Sequence, residues 1–199
     1  MQTRKLIVIL VISLLESCSI SVKQLPVLSK YIDDKGNEVM YKIENLNFID
    51  QNNQIFSEKN VNNKIYIANF FFTRCPSICP RMKTVLKDIA NEYEKASDFK
   101  ITSFSIDSKY DTPEVLKLYA NTTNVNYNKW FFLTGSNEEL NHTAKLFRTS
   151  FSQKEDSIDF YHSSYVALVD RQKHIRGFYN LLEPASVNKL KKDLKKLLK

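Results

Sequence analysis

Two cysteines four positions apart, Cys75 and Cys79, are the residues of this 199-residue chain whose types and spacing best support chemistry. Each is followed by a proline, giving C-P-S-I-C-P. An apolar run of β-branched and aromatic residues at 65–72 (IYIANFFF) precedes them and reads as a buried strand. After them, Met82, Val85, Leu86, Ile89 and Tyr93 recur at the three- and four-residue spacing of a helix face. At such a strand-to-helix junction both thiols face one side if the helix begins near Cys75 or shortly after it. The unsatisfied N–H groups and positive potential of a helix N-terminus favour thiolate over thiol, and Arg74 adds a neighbouring cation. Thiolates so placed either attack a disulfide or bind a soft metal. The inert alternative is a structural disulfide or a pair of buried thiols.

Spacing bears on the two active readings. Thioredoxin-type oxidoreductases leave two residues between their cysteines, and here there are three. The wider pair can still close a disulfide, but it can also open to hold a metal between its sulfurs. Two thiolates favour Cu(I), and a third, nitrogen ligand extends binding to Cu(II). Structural zinc wants four ligands, and no fourth of comparable quality stands out. A peroxiredoxin-like thiol enzyme remains a separate class, since it needs only one activated cysteine.

The rest of the sequence supplies a frame that positions this junction. Residues 101–106 and 130–133 read as further strands. Thr112-Pro113 opens a helix as N-cap and first helical residue. Residues 138–151 read as a helix through Leu140, Ala144 and Phe147. Residues 165–169 and 175–179 flank Asp170-Arg171-Gln172-Lys173 as a hairpin, and a last helix covers about 185–198. Strands alternating with helices and ending in a hairpin and a helix predict an α/β sandwich of thioredoxin-like order: a central mixed sheet flanked by helices, with an N-terminal hairpin extension. His142 falls in a helix and His174 in a turn, and both read as solvated. Met82 reads as core rather than a thioether ligand. Asp107 and Asp111 are placed either to orient the thiol site by hydrogen bonds or to form a turn and cap a helix.

Four blocks in order resemble the Sco/SenC family: FFFTRCPSICPRM at 70–82, SIDSKYDTPE at 105–114, WFFLTG at 130–135 and DFYHSSY at 159–165. The similarity spans about residues 42–198. It implies a thioredoxin fold that binds copper and assists assembly of the CuA centre of cytochrome c oxidase. It also implies copper ligation by Cys75, Cys79 and His162. The implied partners are the CuA-bearing oxidase subunit and other copper chaperones or thiol reductants. Disulfide reduction in the acceptor is a second implied role for the dithiol. Ser108 stands where the family usually has proline, which loosens the turn without removing a ligand.

The N-terminus reads as a targeting segment. Arg4 and Lys5 precede ten residues, 6–15 (LIVILVISLL), too short to span a bilayer but fitting the apolar region of an export signal. Leu15-Glu16-Ser17-Cys18 resembles a bacterial lipobox, with Cys18 as the lipidated residue and residues 1–17 as the signal. Residues 18–41 read as a lipid-anchored tether and 42–199 as the folded domain. The expected location is therefore the bacterial cell envelope, on the periplasmic or external side of a membrane.

Composition excludes several classes. With three glycines, at 36, 135 and 177, there is no dinucleotide fingerprint or phosphate-cradling loop. Three histidines without an H-E-x-x-H pair exclude a zincin helix, and three cysteines are too few for a disulfide scaffold. The net charge of +7 falls to +6 without residues 1–17, of which +5 lies in residues 189–199, so the body is nearly neutral and no nucleic-acid face is expected.

Overall fold

The computed structural model describes residues 24–153 and 160–199; Cys18 and the signal segment lie outside them. Its centre is a seven-stranded mixed sheet. In chain order the strands are β1 (Lys30–Ile32), β2 (Glu38–Met40), β3 (Phe48–Asp50), β4 (Ile55–Phe56), β5 (Ile65–Phe71), β6 (Phe99–Ser105), β7 (Trp130–Thr134), β8 (Ser152–Gln153), β9 (Phe160–Tyr161), β10 (Tyr165–Val169) and β11 (Ile175–Asn180). The α-helices are α1 (Cys79–Glu92), α2 (Pro113–Asn121), α3 (Asn137–Leu146) and α4 (Pro184–Leu198).

The main sheet runs β11-β10-β5-β6-β7-β3-β4, with β5, β6 and β7 parallel and the outer pairings antiparallel. Every residue of β5 is buried, as expected for a central strand covered on both faces. Successive side chains alternate faces. Phe71 and Phe132 meet Tyr119 of α2 on one face, at 5.4 and 5.5 Å between ring centroids. Phe70 and Phe104 meet Phe147, just past α3, on the other, at 6.0 and 5.8 Å. The α/β sandwich of thioredoxin-like order is therefore what forms, with the small β1–β2 hairpin as its N-terminal extension.

Helix α3 is shorter than its apolar spacing predicts. Arg148 adopts φ 53°, and the Arg148 and Thr149 N–H groups donate to the carbonyls of Lys145 and Ala144, the paired bonds that close a helix through a left-handed residue. Arginine, not glycine, fills that position, so the sequence carries no stop signal there. The Arg148 guanidinium then donates to the Lys30 carbonyl at 2.7 Å and ties the hairpin to the body.

The described part of the N-terminal stretch is also held on the body. The Leu28 N–H donates to the Ile175 carbonyl, and Ser29 is fully buried. His174 takes part in this contact, against the expectation of a solvated residue: its Nδ1 lies 3.2 Å from Ser29 Oγ and 3.0 Å from the Tyr41 carbonyl. His142 is exposed, as expected.

Helix α4 docks through Leu190 and Leu194 and through one acid, Asp193, which is buried and accepts from the Tyr179 hydroxyl at 2.9 Å. The Tyr179 ring reaches it by crossing Gly177, where a Cβ would lie 2.2 Å from the hydroxyl oxygen. Only glycine leaves that space.

Candidate metal centre

The site forms where β5 ends. Phe72 is buried, the Cys75 N–H returns to the Phe72 carbonyl, and α1 begins at Cys79, with Pro80 in its first turn. The helix thus starts one turn later than the earliest start the sequence allows: Cys75 sits in the turn and Cys79 is the first helical residue. Both are buried thiols. His162 comes from the segment between β9 and β10, 87 residues along the chain from Cys75.

The structure brings these three together. His162 Nε2 lies 3.4 Å from Cys79 Sγ and 3.8 Å from Cys75 Sγ, and all three donor atoms fall within 4.8 Å of one another. His162 Nδ1 lies 3.2 Å from the Ser163 carbonyl. In that contact Nδ1 carries the proton, which turns the Nε2 lone pair toward the sulfurs. The imidazole packs edge-on against Phe72, and Phe72 against Phe160, so an aromatic wall backs the ring.

Nitrogen-to-sulfur separations of 3.4 and 3.8 Å are spans that one ion bridges with metal bonds of about 2.0–2.3 Å to imidazole and thiolate. Two sulfurs and one nitrogen form a soft, three-donor set that suits copper and falls one ligand short of structural zinc. Among the described residues no other group of three or more His, Cys, Asp or Glu side chains converges in this way. Met82 is buried in the face of α1, as core.

The two thiols differ in environment. Burial works to raise the Cys75 thiol, but backbone hydrogen bonds from Cys79 and Ser77, and the side chains of the same residues, outweigh it, so its pKa lies below the ordinary thiol value. Burial pushes the Cys79 thiol well up, a backbone hydrogen bond at Phe72 opposes this, and the adjacent Cys75 sulfur adds to the rise. Cys75 is thus the more available thiolate.

Asp107 and Asp111 tie the turn from behind. Asp111 is fully buried and accepts from the Thr73 N–H at 3.0 Å, from the Thr73 hydroxyl and from the Ser105 hydroxyl. Its burial nevertheless raises its pKa above the usual carboxylate value, with the Ser105 and Thr73 hydrogen bonds opposing. Asp107 holds Arg74 through Nε at 3.1 Å and a terminal nitrogen at 2.5 Å, and the guanidinium lies 4.0 Å from the Tyr110 ring centre. Arg74 is therefore engaged by Asp107 and Tyr110 as a clamp, rather than serving primarily as the thiolates' cation. Ser108, at the position of the missing proline, donates to Asn137 at the start of α3. Thr73, Ser105 and Tyr110 carry no sequence signal of their own. Their role appears only when the ends of β5 and β6 lie side by side.

The family model described as SCO1/SenC matches residues 35–199. A SCO1 protein homolog of Bacillus subtilis is 29% identical over 158 residues, 78% of this chain and 82% of that protein. Among solved structures, BsSco, a member of the Sco family of cytochrome c oxidase assembly proteins with an identified disulfide switch, is 26% identical. It has a TM-score of 0.72 over 88% of this chain and 98% of its own. Arabidopsis thaliana ScoI with copper bound is also 26% identical, with a TM-score of 0.67 over 78% and 98% of the two chains.

Proposed function

The chain belongs to the SCO1/SenC family, and from that premise we propose that it is an envelope-anchored copper chaperone for the CuA-bearing subunit of cytochrome c oxidase. The observation that carries this reading is the donor triangle of Cys75, Cys79 and His162 at the end of β5. Copper is cargo here. Reduced Cys75 and Cys79 take up Cu(I), and His162 closes a three-coordinate site that also accommodates Cu(II). Three coordination leaves an approach for an acceptor thiolate, so the ion passes on by stepwise ligand exchange. The copper-bound ScoI relative and the oxidase-assembly role of the BsSco relative support the assignment.

A second role for the same dithiol is favoured by the unequal thiols. The Cys75 thiolate attacks an acceptor disulfide and forms a mixed disulfide; Cys79 then displaces it. The products are a Cys75–Cys79 disulfide and two acceptor thiols, so two electrons pass to the acceptor and an external thiol reductant must restore the pair. Attachment through Cys18 or the apolar segment before it completes the proposal. Among the described residues no helix is long and apolar enough to cross a membrane.

The two roles separate experimentally. Copper-loaded chain is mixed with the reduced, copper-free acceptor subunit, and copper-free reduced chain with the oxidised one. The reading expects copper to move in the first mixture and disulfide to move in the second. Copper delivery that survives in a Cys75→Ser variant would remove the proposed site.

A further inference from the structure

The basic stretch at the C-terminus has a definite place in the fold. Lys189 and Lys196 pair with the buried Asp193, and Lys191 pairs with Glu92. That leaves Lys192, Lys195 and Lys199 exposed and, among the described residues, without an acidic partner. Their spacing of three and four residues sets them in one stripe along the outer side of α4. The same lysines line a shallow groove of about 520 Å³ whose other wall is Leu25 and Pro26, at the start of the described chain.

This groove lies at the pole of the sheet opposite the metal centre. The end of α4 is fastened there: Arg171, in the β10–β11 turn, donates to the Leu197 carbonyl at 2.5 Å and pairs with Asp98. The Asp98 carbonyl in turn accepts from the N–H of Ile65, the first residue of β5. Cys75 and Cys79 follow the last residue of β5. Seven residues of strand, about 23 Å, therefore separate the two poles.

We infer that the Lys192, Lys195 and Lys199 stripe is a docking face for an anionic lipid surface, which holds the domain with its metal centre turned away from the bilayer. Gln24 follows Cys18 by six residues, a stretch of at most about 20 Å fully extended. An anchor at Cys18 thus sets about 20 Å as the upper limit on that separation and lets the groove approach the headgroups to within one Debye length, about 8 Å at physiological salt, where the attraction is not screened out. Unpaired lysines at that distance are drawn to anionic headgroups, each adding to the attraction. The inference rests on the membrane attachment proposed above, and its test separates the two.

The full chain is reconstituted with vesicles of phosphatidylcholine alone and with vesicles that also contain phosphatidylglycerol. Amine acetylation is then followed lysine by lysine by peptide mass spectrometry. Lys192, Lys195 and Lys199 should react about tenfold more slowly on the anionic vesicles, an effect that high salt removes, while the exposed Lys109 near the metal centre reacts equally on both. A Lys192→Gln, Lys195→Gln, Lys199→Gln variant should bind copper and float with neutral vesicles like the unaltered chain, and lose the extra, salt-sensitive flotation that anionic vesicles give the unaltered chain. Flotation with neutral vesicles reads attachment by itself. Equal labelling of the three lysines on the two lipids, whether or not the chain floats, would overturn the docking face. So would protection that appears only when an acidic protein is added to neutral vesicles, which would assign the stripe to a protein partner.

Discussion

Cys75 and Cys79 reach the metal centre from a turn tied on both flanks, by Asp111 through Thr73 and Ser105 and by Asp107 through Arg74. His162 reaches it from the segment before β10, the strand next to β5, set by the Ser163 carbonyl and by ring packing on Phe72 and Phe160. The sulfur half depends on a buried network of charged and hydroxyl groups, and the nitrogen half on a local contact and an aromatic wall. The two halves should therefore fail differently. A damaged brace disturbs both sulfurs at once, whereas loss of the imidazole leaves the dithiol whole. That separation is what the two proposed roles require, copper held through three donors and disulfides exchanged through two.

The largest expected effect is on the sulfur half itself. Cys75→Ser or Cys79→Ser should lower Cu(I) affinity by more than about a hundredfold, beyond the range typical for groups that only support a ligand, and should end dithiol exchange. Competition with a chromophoric Cu(I) chelator measures the first and reduction of a model disulfide the second. Next is the brace. Asp111→Ala leaves the Thr73 N–H and the buried Ser105 hydroxyl without their acceptor, so it should cost about 1–3 kcal/mol in denaturant unfolding and weaken copper binding about tenfold with all three donors intact. Unchanged copper affinity in a folded Asp111→Ala chain would show that the turn holds its shape without the network. Asp107→Asn keeps a hydrogen-bonding partner for Arg74 and should have a smaller effect in the same direction. The smallest effect is kinetic: in the reduced, copper-free chain at neutral pH, Cys75 should be alkylated before Cys79, because its thiol is held lower. Peptide mapping after brief iodoacetamide treatment shows the order.

Legibility in the sequence follows how local each signal is. The cysteine turn can be read directly, since an apolar strand, two prolines and a helix face surround it within thirty residues. His162 carries no local signal that distinguishes it from His142 or His174. Only the block DFYHSSY and its resemblance single it out, because its partners Cys75 and Cys79 lie 87 and 83 residues back along the chain and meet it only once β10 pairs with β5. Helix α3 reads too long because its stop is an arginine in the left-handed region, a conformation that composition does not announce. The short strands β3 and β4 escape notice because two or three residues show no alternation; β3 forms by pairing with β7, and β4 by pairing with β3. Asp193 has no sequence signal that sets it apart from the lysines around it, yet it is buried beneath Tyr179 because Gly177 opens the space for that ring.

Whether one ion is held by both sulfurs and the imidazole is decided by comparing His162→Ala with the unaltered chain in parallel Cu(I) and Cu(II) titrations of reduced protein, followed by thiolate-to-copper absorption. The unaltered chain should take up one equivalent of either ion. In the variant, Cu(I) should still be taken up by the dithiol while stable Cu(II) binding and its absorption band are lost. Equal Cu(II) affinity in the two chains would remove His162 from the ligand set.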